Sequence, residues 1–219
     1  YGLRREYAGI GNFLRKRSYI DLQYIYGTLT NSDGEYPIDY DTMMANPMET
    51  ITVITNAHTG QPRYVSKREL IRDQYTAFMA SSAIPGICRP IWYEGVPCYD
   101  GALSDPVPVQ KAFDLGCDKV VLVLTLPENT VRTSEKDERL AKRIKKEFPS
   151  AAEALAGRAK KYNEGVALAR RYAAEGKLLI LAPDDTCGVH TLCRDAKAMK
   201  MLYAKGFADA DRIASFLFS

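Results

Sequence analysis

Long apolar runs are missing from this 219-residue sequence: no stretch reaches the roughly 18 residues that a helix needs to cross a bilayer. Basic residues barely outnumber acidic ones, and a net charge of +3 gives no reason to expect nucleic acid as a partner. Histidine occurs twice, and the five cysteines lack the spacing of a disulfide framework. An odd number of scattered cysteines favours free thiols in a reducing compartment, so we expect a cytoplasmic protein.

What is present is typical of a folded domain, with 46% hydrophobic and 26% charged residues. Apolar, β-branched segments predict strands at 50–57, 119–127 and 177–183. The last two are nearly continuous apolar runs, which is typical of strands buried on both faces of a parallel sheet. Helical periodicity and breakers predict helices at 67–83, 105–116, 135–147, 150–175, 191–204 and 207–217.

Because these strands and helices alternate, the sequence predicts an α/β fold of three α/β/α layers, with a mainly parallel sheet and helices on both faces. No repeat or linker divides the chain, so we expect a single domain over residues 1–219. Two helix starts are also predicted. Asp105 before Pro106 has the pattern of an N-cap followed by proline at the first helical position. Ser150 and Glu153 have capping-box spacing.

Asp100 stands out because it follows a short extended segment and directly precedes Gly101. In a parallel sheet, ligands and catalytic groups gather where strands run into helices, so this carboxylate is a candidate functional group. Gly101 would then allow a sharp bend, or let a partner side chain come close to the carboxylate. Asp-Gly is also a common turn dipeptide. The residues around Asp100 leave both interpretations open.

A longer series of segments resembles the patatin-like phospholipase family. It consists of TNAHTGQPRYVS at 55–66, ASSAIPG at 80–86 and YDGALSDPVPVQKAFDLGCDKVVLVLTLP at 99–127. The later Tyr162-Asn163, the strand LLILAP and the segment LYAKGFADA fit the bacterial branch of that family. The resemblance covers almost the whole chain and implies a lipid acyl hydrolase whose substrate is a phospholipid or another lipid ester.

The resemblance also implies a serine–aspartate dyad that needs no metal and no cofactor. A serine in a Gly-x-Ser-x-Gly elbow attacks the ester, and Asp100 takes its proton as the general base. Gly101 and Ala102 then shape the turn that carries the aspartate. A carboxylate with an ordinary pKa near 4 needs a partly desolvated site and direct contact with the hydroxyl to act as a base.

The sequence departs from this family pattern because it contains no Gly-x-Ser-x-Gly and no glycine-rich oxyanion loop. Both elements lie upstream of the matching region in the family, so we expect that the N-terminal strands and the nucleophile elbow precede Tyr1. A natural protein that never had them is the alternative. The chain by itself is predicted to be inactive. The rival interpretation is a non-catalytic binding or interaction module on the same scaffold.

Other potential nucleophiles are predicted to have structural roles. Ser81 and Ser82 end a helix before a proline, and Ser104 is expected to bond nearby backbone. Cys98 lies two residues before Asp100, but a cysteine nucleophile normally needs a histidine beside it. We expect none of these four residues to act as the nucleophile.

Two polar clusters are predicted to be structural. Cys187, His190 and Cys193 provide only three ligands, whereas a structural zinc site has four, so we expect two buried thiols beside a loop and no metal. His58 is expected in a surface turn.

Between 132 and 177 there are 13 basic and 7 acidic residues, which is typical of a solvated face but could also contact an anionic membrane surface. Sheet surface left uncovered would favour a homodimer.

Overall fold

The computed structural model describes residues 3–218, and the chain divides into two compact units. The first unit runs to Pro106 and takes in Thr133–Ala159, whereas the second comprises Val107–Arg132 and the residues from Lys160 onward. Each unit is described by itself below. The sequence prediction of one domain over residues 1–219 stays a prediction.

The first unit contains a four-stranded sheet with helices before and after it. Its strands are β1 (Ile51–Asn56), β2 (Pro62–Ser66), β3 (Ile91–Tyr93) and β4 (Val96–Asp100). Its α-helices are α1 (Ile10–Lys16), α2 (Leu22–Tyr24), α3 (Tyr40–Ala45), α4 (Thr76–Ser81), α6 (Glu135–Ile144) and the beginning of α7 (Pro149–Ala174). Three short turns of other helix types add to these, at Ile25–Leu29, Lys67–Glu69 and Gly101–Leu103.

The sheet has the order β2-β1-β4-β3, and every neighbouring pair in it is antiparallel. The prediction of a mainly parallel sheet is therefore wrong for this unit. For two of the three pairs, the physical reason is the length of the connections: the turn after Asn56 joins β1 to β2, and two residues, Glu94 and Gly95, join β3 to β4. Connections this short can join only antiparallel strands, because a parallel pair needs a crossover of a dozen residues or more.

Both faces of this sheet are covered by apolar side chains. Along β4, the buried Cys98 belongs to one hydrophobic cluster together with Ile54 and Val65, whereas the next residue, Tyr99, packs in the other. The second cluster also includes Phe148, whose ring meets that of Tyr99 edge to face at 6.0 Å between centroids. Successive residues of β4 thus alternate between two packed layers, which fixes the register of the strand.

Several helix boundaries differ from their predictions. The helix predicted over 67–83 is reduced to Lys67–Glu69 and α4, because Asp73 between them adopts a left-handed conformation with φ of 62°. The chain instead keeps Lys67 buried, where its ammonium group donates to the carbonyl oxygens of Met43 and Asn46. Such a buried charge requires these acceptors, and a continuous helix would move them out of reach.

The two predicted helix caps are wrong. Helix α5 (Val109–Asp114) has Pro108 at its N-cap position, and Asp105 instead accepts a hydrogen bond from the Tyr64 hydroxyl at 2.5 Å. Helix α7 begins at Pro149, so Ser150 already lies inside the helix and is not its N-cap.

The second unit contains one parallel strand pair, β5 (Val120–Val123) with β6 (Leu178–Leu181), in register from Val120 opposite Leu178. Its helices are α5, the rest of α7, α8 (Ala196–Asp209) and α9 (Asp211–Leu217). Strand β6 is largely buried, but β5 is only half-buried, and Val123 is 67% exposed. The predicted burial of β5 on both faces is therefore wrong.

Candidate functional site

A tight hairpin places Asp100 at the end of β4. Glu94 and Gly95 have φ values of 48° and 76°, so both central residues of the turn are left-handed, as in the two-residue turns that match the twist of a hairpin. From this turn β4 runs to Asp100, which lies opposite Ile54 of the central strand β1. The predicted position of Asp100 at the end of a strand is confirmed.

A set of hydrogen bonds holds the turn around Asp100. Its carboxylate Oδ1 accepts from the backbone N–H of Ala102 at 2.9 Å, which begins the short helical turn Gly101–Leu103. The backbone N–H of Asp100 donates to the Ala83 carbonyl oxygen at 3.0 Å, and its carbonyl oxygen accepts from the Thr55 hydroxyl at 2.8 Å. The Asp105 N–H donates to the carbonyl oxygen of Gly101 at 2.9 Å. Asp100 is half-buried, so its carboxylate is fixed in position and partly desolvated.

Gly101 is required by the backbone of β1. A Cβ built at this position would lie 2.6 Å from the Val53 carbonyl carbon and 2.7 Å from the Val53 Cβ, and closer still to the Val53 oxygen. These distances are shorter than real Cβ contacts, so no larger residue fits without moving the strand. Gly101 does not have a positive φ. The close approach of β1 is a constraint on position 101 that the sequence did not indicate.

The hydroxyl groups of Thr55 and Ser104 bond each other and the backbone of the same turn. Thr55 is fully buried, and its hydroxyl lies 2.7 Å from that of Ser104. The Ser104 hydroxyl also donates to the Gly101 carbonyl oxygen at 3.3 Å, as expected for a residue that bonds local backbone. Thr55 was not singled out from the sequence, because a threonine in a β-branched strand carries no signal of its own.

Cys88 is a second residue of the site that the sequence did not indicate. It is 5% exposed, and burial, together with the nearby negative charge of Asp100, raises the pKa of its thiol to about 11. The thiol lies 4.0 Å from the Ile20 carbonyl oxygen. Near neutral pH the Cys88 thiol is therefore uncharged.

The other candidate nucleophiles have structural partners. The Ser82 hydroxyl donates to the Phe78 carbonyl oxygen at 3.0 Å and lies 3.0 Å from the Tyr26 hydroxyl. Burial raises the pKa of Cys98, so its thiol stays protonated and poorly nucleophilic. Ser81 is half-buried at the last position of α4.

The loop at 187–193 and His58 were the two places where the sequence raised the question of a metal site or a surface turn. Within residues 3–218, no group of three or more His, Cys, Asp and Glu side chains is placed to hold a metal ion. Cys187 and Cys193 are half-buried, where full burial was predicted. His58 is exposed in a turn, as predicted, with its ring 5.8 Å from that of Phe148. None of the helices described in residues 3–218 has the length and apolar composition of a transmembrane segment.

Comparison with known proteins gives two family matches. Residues 11–113 match the patatin-like phospholipase family. This matched range contains β1 to β4 and Asp100. Residues 148–215 match a family described as a domain of unknown function, DUF6363. The later segments that were compared with the bacterial branch, at 162–163 and 177–183, fall within this second match.

One relative is an Escherichia coli (strain K12) protein with the name uncharacterized protein YjjU. It is 28% identical over 138 residues, which are 62% of this chain and 38% of the relative. The chain therefore spans well under two thirds of the length of that relative.

Proposed function

The chain is patatin-like over residues 11–113, and from that premise we propose that it is part of a serine-dependent lipid acyl hydrolase with Asp100 as the general base. The substrate class is a phospholipid or another lipid carboxylic ester. The observation that carries the proposal is the position of Asp100. It ends a central strand, its carboxylate is oriented by the Ala102 N–H, and the glycine beside it fits only because it has no side chain.

The chemistry divides between Asp100 and a serine. The serine oxygen attacks the ester carbonyl carbon while the Asp100 carboxylate accepts the hydroxyl proton, and Asp100 then gives that proton to the alcohol part of the lipid as it leaves. Water next attacks the acyl-serine and loses a proton to Asp100, and Asp100 returns this proton to the serine oxygen as the fatty acid is released. Neither step changes an oxidation state, and in this proposal neither needs a metal or a cofactor.

The surroundings of Asp100 suit a carboxylate that works as a base. Asp100 is half-buried, and a general base works best in a partly desolvated position from which it contacts the hydroxyl directly. The Ala102 N–H fixes the orientation of the carboxylate. We propose that this arrangement favours direct contact with a serine hydroxyl.

In this proposal the nucleophile lies outside the 219 residues, since they contain no Gly-x-Ser-x-Gly. The same observation favours the second candidate function, a non-catalytic binding module on this scaffold. The hydrolase and the binding module differ in one property that sequencing can establish. The hydrolase carries a Gly-x-Ser-x-Gly elbow, preceded by a glycine-rich loop, together with these residues, whereas the binding module does not.

The test uses the protein that contains such an elbow. Hydrolysis of p-nitrophenyl butyrate and of phosphatidylcholine vesicles would be measured for the wild type, for Asp100→Asn and for Asp105→Asn. Asp105 is the matched control, because it is a carboxylate five residues further along that bonds Tyr64. We expect Asp100→Asn to lose nearly all turnover and Asp105→Asn to stay within about threefold of the wild type. Full activity of Asp100→Asn would support the binding module.

Contact with an anionic membrane is a further part of this proposal. Helix α6 and the residues just after it expose six basic side chains in the first unit, namely Lys136, Arg139, Lys142, Arg143, Lys145 and Lys146. Such a surface attracts anionic headgroups. Stronger sedimentation with phosphatidylserine vesicles than with phosphatidylcholine vesicles, lost at high salt, would support it.

A further inference from the structure

The second unit has a polar cleft at the ends of its parallel strands. The cleft has a volume of about 480 Å³, and it is lined by residues that follow β5, residues that follow β6, and side chains of α7 and α9. The carboxyl ends of parallel strands are where ligands bind in α/β proteins. Six of its nine lining residues lie within the DUF6363 match at 148–215, so this part of the chain contributes most of the cleft.

The charges of the cleft leave one cation unpaired. Arg170 donates to the Glu128 carboxylate at 2.9 Å and to the Glu128 carbonyl oxygen at 2.6 Å, and the Asp184 carboxylate is paired with Lys205. Arg212 also lines the cleft, and no hydrogen bond or ion pair engages its guanidinium group within residues 3–218. After the internal pairs are formed, the cleft is therefore suited to an anion, which Arg212 would bind through its two-pronged donor group.

A smaller cavity of about 210 Å³ adjoins this cleft, and its lining is mainly apolar. Ala182 and Pro183 line both spaces, and α9 contributes Arg212 to the cleft and the next residue, Ile213, to the cavity. The other apolar side chains that line the cavity are Val123, Leu124, Leu181, Leu202 and Ala210. An anion-binding group and an apolar chamber thus share a boundary within the same unit.

We propose that the cleft and the cavity together bind a medium-chain carboxylate, with its head at Arg212 and its alkyl chain in the apolar cavity. A small anion without a chain would leave the cavity unused, and an uncharged chain would leave Arg212 without a partner. Asp209 lines the apolar cavity but not the cleft, and Asp184 is held by Lys205, so neither carboxylate occupies the position of the head. This inference does not depend on the proposed hydrolysis.

The test is calorimetric titration of the 219-residue chain with octanoate, octanol and inorganic phosphate. We expect octanoate to bind most tightly. Arg212→Gln should weaken octanoate binding by at least about tenfold and leave octanol binding within about twofold, since only the charged head loses its partner. Arg171→Gln is the matched control, because Arg171 is exposed on α7 and lines neither space.

A second variant tests the chain-binding cavity. Gly206 lines it, and a Cβ at this position meets no heavy atom within 4 Å, so Gly206→Leu can fold and narrow the space. Gly206→Leu should weaken the binding of octanoate and of octanol to the same extent. Gly157→Leu, where a Cβ also meets no heavy atom within 4 Å, should change neither affinity. Absence of octanoate binding, equal affinity of Arg212→Gln and wild type, or phosphate binding as tight as octanoate would each overturn the proposal.

Discussion

Gly101 lies against the backbone of Val53 so closely that a single added methyl group would come within 2.6 Å of the Val53 carbonyl carbon. The residue after the candidate base is thus set by the neighbouring strand. Since Ile54 of that strand lies opposite Asp100, a movement of β1 at Val53 would also displace the carboxylate. This relationship ties the stability of the sheet to the geometry of the site.

Gly101→Ala is expected to destabilise the chain by about 2 kcal/mol or more, because the methyl group overlaps backbone atoms that cannot move independently of the sheet. The matched control is Gly157→Ala in α7, where a Cβ meets no heavy atom within 4 Å. That change should raise the free energy of unfolding by up to about 1 kcal/mol, since alanine favours a helix interior. Urea denaturation measures the change in free energy of unfolding for both variants. Equal effects of the two changes would contradict the close approach.

Asp100→Asn should change the free energy of unfolding by less than about 1 kcal/mol, because the amide oxygen can still accept from the Ala102 N–H. Asp100→Ala loses that acceptor and should cost about 1 kcal/mol. Both changes should remove turnover in the protein that carries the elbow. If Asp100 were only a turn residue, stability would fall with alanine while activity would persist in both variants.

The 219-residue chain should not hydrolyse p-nitrophenyl butyrate above the buffer background. It contains neither the serine motif nor the glycine-rich loop whose amides would stabilise the oxyanion, and these are the two largest contributions to this chemistry. The assay compares the chain with its Asp100→Ala variant. Turnover that the substitution abolishes would show that a nucleophile lies within these residues.

Cys88 should make stability depend on alkaline pH. Its pKa is raised from 9.0 to about 11 in the folded state, so the stabilisation is intact below pH 9 and is lost as the pH rises toward 11. The loss should be on the order of 2 kcal/mol. The measurement is urea denaturation of the wild type and of Cys88→Ala at pH 8 and at pH 11. The difference in free energy of unfolding between the two proteins should be smaller at pH 11 than at pH 8. A constant difference would contradict the raised pKa.

The same thiol should resist labelling. At pH 8 iodoacetamide should modify the exposed Cys117 quickly and the buried, protonated Cys88 slowly, as mass spectrometry of peptides would show. Cys117→Ser should remove the fast phase alone. Rapid labelling of Cys88 would place it at the surface.

Sequence analysis located the strands whose segments are rich in apolar residues. The segments at 50–57, 119–127 and 177–183 correspond to β1, β5 and β6. Strand direction could not be obtained in this way, because pairing joins residues that are distant in the chain. The antiparallel pairing of β3 with β4, for example, follows from the two-residue turn at Glu94 and Gly95.

The candidate site was predictable only in part for the same reason. Asp100 was found from its place between a strand and a glycine and from a family resemblance. Cys88 and Thr55 are 12 and 45 positions away in sequence, and only folding brings them beside the turn. The need for glycine at position 101 likewise depends on Val53, a residue that no local pattern connects to it.

The parallel pairing of β5 with β6 has a consequence for the order of folding. About 60 residues of chain, including the whole of α7, separate the two strands, and closing so long a loop has an entropic cost before any ladder bond forms. During synthesis, β5 therefore leaves the ribosome long before its partner exists. Its edge stays unpaired throughout that interval, and an unpaired strand edge exposes the nascent chain to aggregation.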